Sequence, residues 1–264
     1  MTETDFIFDG IKLSDFGYIV AGDGVLDEDG VVSGMAFTTI KSARSDTIHR
    51  VAHTYEECYQ ADVAIIKRPC DQDNLDLTND DISEMTRWLC RKEYKWFRWI
   101  DDIGQDEIWF EVQIGLDKIM YGTSVIGLRL HIKANRPYGL SKEKQHIWNN
   151  AQGTHDIYLD TDEEGYITPD LTITVRQNGK IMIGNNYDNR IFILDNCITG
   201  EIITVHGGDT LQISSTNANH LYMTDFNYKW LRLYNEFSNN HNVITVEGNC
   251  NVVLTYRTIR KVGI

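Results

Sequence analysis

Proline, cysteine pairs, long apolar runs and excess positive charge are all scarce in this chain of 264 residues. Only three prolines occur among many Asp, Asn, Thr, Ile, Val and Tyr, a composition that points to strands joined by polar turns. The five cysteines, Cys58, Cys70, Cys90, Cys197 and Cys250, are odd in number, widely spaced and without a Cys-x-x-Cys pair. That excludes a disulfide framework and fits folding in a reducing compartment. No apolar run approaches the roughly 20 residues that span a bilayer as a helix. The opening Met-Thr-Glu-Thr-Asp lacks the basic and apolar regions of a secretory leader, so assembly in a cytoplasm is expected. Net charge is −14, with 17 basic against 26 acidic side chains in residues 1–150 and 8 against 13 in the remainder. Neither half carries the basic field that displaces counterions from nucleic acid. Anionic membranes are disfavoured by the same sign. The acidity itself speaks first to solubility.

What is present is ample for a core. Apolar residues make up 42% and aromatics 11% of the chain, which rules out global disorder. The length suits one large β domain or two ordinary ones. Phe6-Ile7-Phe8 is a short apolar run, Asp9-Gly10 a turn dipeptide, and Ile11 to Val20 resumes as a second strand. Asp-Gly takes the positive φ values of a two-residue hairpin turn, so this segment reads as a hairpin. One helix is expected near residues 79–92. Thr78 or Asn79 caps it, Asp80, Asp81 and Glu84 suit its positive end, and Arg87, Arg91 and Lys92 suit the other. Ile82, Met85, Trp88 and Leu89 form its apolar stripe. An aromatic hairpin follows, from Trp96-Phe97 and Trp99-Ile100 through a turn at 101–106 to Ile108–Ile114. The run Val125–Ala134 places Leu128, Leu130 and Ile132 on one face and Arg129, His131 and Lys133 on the other. It stops at Pro137-Tyr138-Gly139.

The opening resembles the pattern FxFNGxxSxDFGxxV that begins the distal tail proteins (Dit) of long-tailed bacteriophages. Phe6, Phe8, Gly10, Ser14, Asp15, Phe16, Gly17 and Val20 fit it, with Asp9 in place of the commoner Asn. The order of opening hairpin, β segments, single helix, aromatic hairpin and strand ending at a Pro-Tyr stop is similar to that family across roughly residues 1–140. The resemblance implies a mainly β fold with one helix, in which an N-terminal ring-forming β domain precedes a galectin-like antiparallel β-sandwich.

Residues 141–154 are polar and read as the linker. From His155 to residue 264 turn signals recur every eight to twelve residues, between strands such as Leu171–Val175, Ile191–Leu194, Ile202–Val205, Leu211–Ser214, Val243–Val246 and Val252–Tyr256. No helical spacing is evident there, and the pattern argues for an antiparallel sandwich. The tail from Thr255 to Ile264 is expected to return to the first domain.

Candidate chemistry is thin. Residues 160–167 place acids at positions 1, 3 and 5 and Gly165 at position 6 of an EF-hand-like loop, but position 12 is Leu171 in place of the bidentate carboxylate. An acidic turn without calcium is the expectation. His49 and His53 have i, i+4 spacing, with Glu56, Glu57 and Cys58 nearby, yet the segment is β-branched and lacks a metal signature. Asp101 with Asp102 and Glu163 with Glu164 are too local to make a glycosidase pair. Arg91 to Trp99 interleaves bases with aromatics, as single-strand binders do, but one short run supplies no electrostatic track. Tyr222, Phe226, Tyr228, Trp230 and Tyr234 could stack on sugar rings or a partner. Tyr228, Trp230, Arg232 and Tyr234 would share one strand face and Leu231 and Leu233 the other.

The function expected from the resemblance is architectural: a subunit of a ring, a hexamer if the family's assembly holds. It would join the tail tube to the host-adsorption apparatus at the virion tail tip and surround the DNA channel. No catalytic, cofactor or metal residue is expected. Partners would be the chain itself, the tail tube protein, a tail-tip hub or tail-associated protein, and receptor-binding proteins or fibres. Tyr228, Trp230 and Tyr234 are the candidate contact residues. The alternatives are a carbohydrate-binding β-sandwich protein or another tail or baseplate component.

Overall fold

The computed structural model describes residues 5–21, 35–41, 48–55, 58–69, 75–100, 107–188, 190–208, 210–236 and 238–261, with backbone alone for 35–41 and 48–55. The chain divides into two compact units, Met1–Ser141 with Arg260–Ile264, and Lys142–Ile259.

The first unit contains β1 (Asp5–Phe8), β2 (Ile11–Lys12), β3 (Tyr18–Ala21), β4 (Met35–Lys41), β5 (Ile48–Tyr55), β6 (Gln60–Lys67), α1 (Asn79–Leu89), β7 (Lys95–Ile100), β8 (Ile108–Tyr121), β9 (Ser124–Ala134) and β10 (Gly139–Ser141). Its main sheet runs β2-β1-β7-β8-β9-β6-β3, with β10 paired to β8, while β4 and β5 form a separate ribbon. The opening turn is built as expected: Asp9 and Gly10 take φ of 52° and 81°, and Phe8 pairs with Ile11. The second strand, however, ends at Lys12. A 3₁₀ turn, Leu13–Phe16, intervenes before β3 because Asp5 accepts the Ser14 hydroxyl at 2.7 Å, Leu13 is fully buried, and Gly17 reverses the chain at φ 75°.

Helix α1 follows its capping residues. The Thr78 hydroxyl accepts the Asp81 N–H at 3.2 Å and the Asp81 carboxylate accepts the Thr78 N–H at 2.7 Å. It ends at Leu89 rather than near residue 92, since Cys90 leaves helical φ/ψ and Arg91 Nε donates to the Trp88 carbonyl instead of extending the helix. The expected stripe is the buried one. Met85, Trp88 and Leu89 enter the core and Ile82 packs beside it. Trp88 stacks on Phe6 at 6.0 Å and lies 4.5 Å from Phe16, and its indole N–H donates to the Phe8 carbonyl. Phe97 lies 5.3 Å from Phe6 and meets Trp99 edge-on at 4.9 Å. On β9, Leu128, Leu130 and Ile132 are buried while Arg129 and Lys133 are exposed, as the alternation requires.

The second unit is a sandwich of a five-stranded and a four-stranded antiparallel sheet. The first runs β11 (Lys144–Trp148), β21 (Cys250–Tyr256), β14 (Asp170–Val175), β17 (Ile202–His206), β18 (Gln212–Ser215). The second runs β12 (Gly153–Tyr158), β20 (His241–Glu247), β15 (Gly179–Asn185), β16 (Ile191–Cys197). A small ribbon pairs β13 (Gly165–Ile167) with β19 (Leu233–Asn235), and a single helical turn, α2 (Tyr222–Asp225), interrupts the β texture. One core draws inward side chains from both sheets, among them Ile173, Leu254, Ile183, Phe192 and Ile244, together with Cys197 and Cys250. Burial pushes these two thiols up to about 12 and about 11.

Two sequence expectations are corrected here. The supposed linker contains β11, which pairs with β21 along its whole length from Lys144↔Tyr256 to Trp148↔Val252, because His146 and Trp148 turn inward and stack on Tyr256 and His155. The absence of helix after residue 155 misses α2. Thr255 and Tyr256 complete β21, and the grouping with the first unit begins at Arg260.

Truncating the aromatic core should be severe. Phe97→Ala is expected to lower the unfolding free energy by about 3–5 kcal/mol, and Thr78→Ala by about 1 kcal/mol. Urea titration followed by tryptophan fluorescence measures both.

Candidate functional site

His49 and His53 lie on β5, so they follow strand and not helix geometry; Glu56 and Glu57 fall outside the described residues. Asp101 and Asp102 also fall outside them. The loop 160–165 is held by Asn235, whose amide donates to the Thr161 and Glu163 carbonyls at 3.1 and 2.9 Å. Leu171, at the twelfth position, is buried in the core. Among the described residues no group of three His, Cys, Asp or Glu side chains is arranged to hold a metal ion. Three bases of the 91–99 segment meet neighbours of their own: Arg91 donates to the Trp88 carbonyl, Lys95 Nζ lies 3.5 Å from Glu93, and Arg98 lies 3.2 Å from Glu107 and over the Trp109 ring.

The aromatic residues of 222–234 do not share a strand face. Tyr228 adopts φ 57°, a left-handed conformation that breaks the alternation, and only Leu233–Asn235 is strand. Asn227 caps the margin of β16, its carboxamide oxygen accepting the Ile193 N–H and its amide donating to the Ile191 carbonyl. Tyr228, 56% exposed, and the half-buried Trp230 both pack against Phe226, at 5.1 and 5.0 Å. Tyr234 belongs to a second group. It stacks on Tyr187 at 4.7 Å and donates to Asp188 at 2.8 Å, while Arg232 lies 3.9 Å over the Tyr166 ring. A hydrogen bond from Tyr187 to Glu236 pushes the Tyr187 phenol up to about 12. Leu231 and Leu233 are buried in the core.

Two asparagines that sequence reasoning passed over set this arrangement. Asn242 is fully buried; its oxygen accepts from Asn185 Nδ2 and from the Tyr234 N–H, both at 2.7 Å, and its amide donates to the Tyr234 and Asn240 carbonyls. Asn185 also donates to the Arg232 carbonyl at 2.8 Å. These bonds supply the backbone partners that a continuous strand would otherwise provide. The residues are far apart in sequence and carry no motif.

A second overlooked constellation is Glu201, His220 and Ser215. The Glu201 and His220 side chains have no exposed surface, and His220 Nδ1 lies 2.6 Å from Glu201. Burial pushes the Glu201 carboxyl up, but bonds from Ser215, the Ile198 N–H and His220 outweigh it and hold the group below its ordinary value. The Ser215 hydroxyl donates to Glu201 and not to the imidazole, whose Nε2 faces Asp225 at 3.8 Å. A nucleophile and its base are therefore not paired, and the cluster is a buried clamp between β17, β18 and α2.

On the exposed sheet face of the first unit, His131 bridges Asp62 at 2.7 Å and Asp117 at 3.0 Å, linking β9 to β6 and β8. Hydrogen bonds to Asp117 and then to Asp62 raise its pKa above the ordinary 6.5. A raised histidine stabilises fully below the unfolded value and loses that contribution as pH climbs through the folded value. His131 should thus titrate above 6.5 by NMR, and Asp117→Asn should lower its pKa. Asn242→Ala, which orphans the Tyr234 N–H, should destabilise the second unit by at least about 2 kcal/mol, read by thermal melting.

Among the described residues the end strands of the main sheet are β2 and β3, and the β8–β9 hairpin carries the exposed Met120 and Tyr121 at its tip. Such margins and apolar tips are sites for protein contact. A family model described as a phage tail protein N-terminal domain matches residues 1–136, and one described as a phage tail C-terminal domain matches residues 138–256. No curated protein matches. The crystal structure of the Dit protein of phage SPP1, described as a paradigm of the hub adsorption apparatus in Gram-positive-infecting phages, is similar with a TM-score of 0.63. Its identity is 11%, and the match covers 96% of this chain and 98% of that one. A chain of the phage P2 baseplate in its activated conformation with calcium is similar at a TM-score of 0.51 and 7% identity, covering 97% and 98%. With both halves matched by tail-protein models and a Dit-like fold from end to end, the chain belongs to the phage tail protein family.

Proposed function

We propose that this tail protein is a ring-forming subunit of the tail tip, hexameric, joining the tail tube to the host-adsorption apparatus and surrounding the DNA channel. The observation that carries the reading is that the Dit-like fold runs through both units together rather than through one shared module. Residues 1–140 build the ring, β2 and β3 meeting neighbouring copies so that edges open in the monomer are closed by a head-to-tail contact. Residues 155–264 form the galectin-like module that docks receptor-binding proteins or fibres, and the last residues return to the first domain. The tail tube protein and a tail-tip hub or tail-associated protein are the axial partners. A net charge of −14 suits a wall past which DNA slides without being retained. The role is mechanical and calls for no catalytic residue or cofactor. Assembly takes place in the host cytoplasm and the product resides at the virion tail tip.

Negative-stain images of the purified chain, alone and with its tail tube protein, should show closed annuli, and light scattering should give six copies. Monomers under all these conditions would overturn the ring.

A further inference from the structure

The two ring nitrogens of the buried His220 meet different surroundings. Nδ1 lies 2.6 Å from Glu201, whose carboxylate only accepts, so Nδ1 carries a hydrogen. Nε2 faces Asp225 at 3.8 Å and has no hydrogen-bond partner among the described residues. In the neutral imidazole that nitrogen is a lone pair turned toward a carboxylate, a buried acceptor with nothing to accept. Among the described residues neither Glu201 nor Asp225 has a Lys or Arg partner, so the imidazole is the cluster's own source of positive charge.

The neighbours of His220 hold their protonation states near neutral pH. Glu201 reaches it from the turn before β17, Ser215 from β18, Tyr222 and Asp225 from α2, and Cys197 and Asp195 belong to the adjoining β16. Burial opposes ionisation of Asp225, but hydrogen bonds from Asn196, Thr224 and the Leu221 backbone outweigh it and hold the carboxyl below its ordinary value, as they do for Glu201 with its own donors. Both therefore stay carboxylates above pH 6, and their contribution is lost only in stronger acid. Burial raises the Tyr222 phenol, whose ring stacks on the imidazole at 5.1 Å and 10°, and pushes the Cys197 thiol up to about 12. Asp195 is engaged by Lys180 at 3.1 Å.

A proton on Nε2 converts the lone pair into a donor. Closing the gap by about 1 Å makes a charge-assisted bond of about 2.8 Å to Asp225, so that the imidazolium is held by a carboxylate on each side. Asp225 is the last residue of α2, and Asn227, two residues on, caps the margin of β16. The same turn presents Leu221 and Met223, 66% and 88% exposed. We infer that His220 is a proton-operated latch: one proton taken up at Nε2 fastens α2 to the sandwich through Asp225 and orders the surface that carries Leu221 and Met223. The added fastening is present below the imidazole range and lost as pH climbs through it. The inference goes beyond the ring reading and stands or falls separately from it.

Hydrogen exchange of the full chain at pH 6, 7 and 8, with rates corrected for intrinsic pH dependence, tests the latch. Amides of residues 221–227 should be about tenfold better protected at pH 6 than at pH 8, with β14 unchanged as the internal reference. Asp225→Asn, which leaves the Glu201 bond in place, should cut that difference to below about twofold, and Met223→Ala should preserve it. His220→Gln should abolish it; where that variant does not fold, Asp225→Asn decides. Equal protection at all three pH values, a gain at high pH, a gain shared by β14, or a response that survives in Asp225→Asn would overturn the latch. Each of these outcomes leaves the ring untouched.

Discussion

Covering Phe6 and Phe8 is the constraint from which most of the first unit follows. They occupy alternate positions of a four-residue strand, share one face, and have no exposed surface. A strand that short contributes little backbone pairing, while burying each ring stabilises by about 1.5–3 kcal/mol. The cover is α1, through Trp88. Placing α1 there brings Asp81 to Lys67 at 2.8 Å, so the buried ammonium is paired and the carboxylate that caps the helix also anchors it to β6. The aromatic hairpin supplies the remaining contacts through Phe97 and Trp99, the strand partners of Phe8 and Phe6. A family pattern that looks like a string of conserved letters is, in this molecule, a set of mechanical parts: two core rings, a turn, a hydroxyl for Asp5, a ring for Trp88 and a chain reversal.

The second unit depends on a different device. Between α2 and β20 the chain leaves the two main sheets, pairing only through the short β19, and buried asparagines take over the hydrogen bonds that β13 does not supply. Asn242 satisfies both backbone groups of Tyr234 through one carboxamide. That irregular segment separates the aromatics into two environments, one around Phe226 and one around Tyr187 and Tyr166. The Glu201 and His220 clamp plays a comparable part at the other end of the same segment.

Much of this was legible beforehand where the signal is local. The Asp-Gly turn, the Thr78 cap and the alternation of β9 each depend on residues within a few positions of one another. Strand centres in the sandwich were equally clear, because Leu171–Val175 and Val252–Tyr256 are rich in β-branched residues, Thr172 to Val175 in the first and Val252, Val253 and Thr255 in the second. The failures share a cause. β11 is polar in sequence, and it becomes a strand only through β21, more than a hundred residues away. The break after Lys12 depends on Asp5 reaching Ser14, and the splitting of Tyr228 from Tyr234 depends on Asn185 and Asn242.

The burial of Cys197 and Cys250 bears on how the sandwich responds to its surroundings. Both sulfurs lie in the core of the second unit with thiols held in the protonated, unreactive form. In an oxidising medium a reactive thiol would be open to sulfenylation or cross-linking. Here the oxidant must wait for the two sheets to part, so the rate of alkylation at these positions clocks the opening of the sandwich itself.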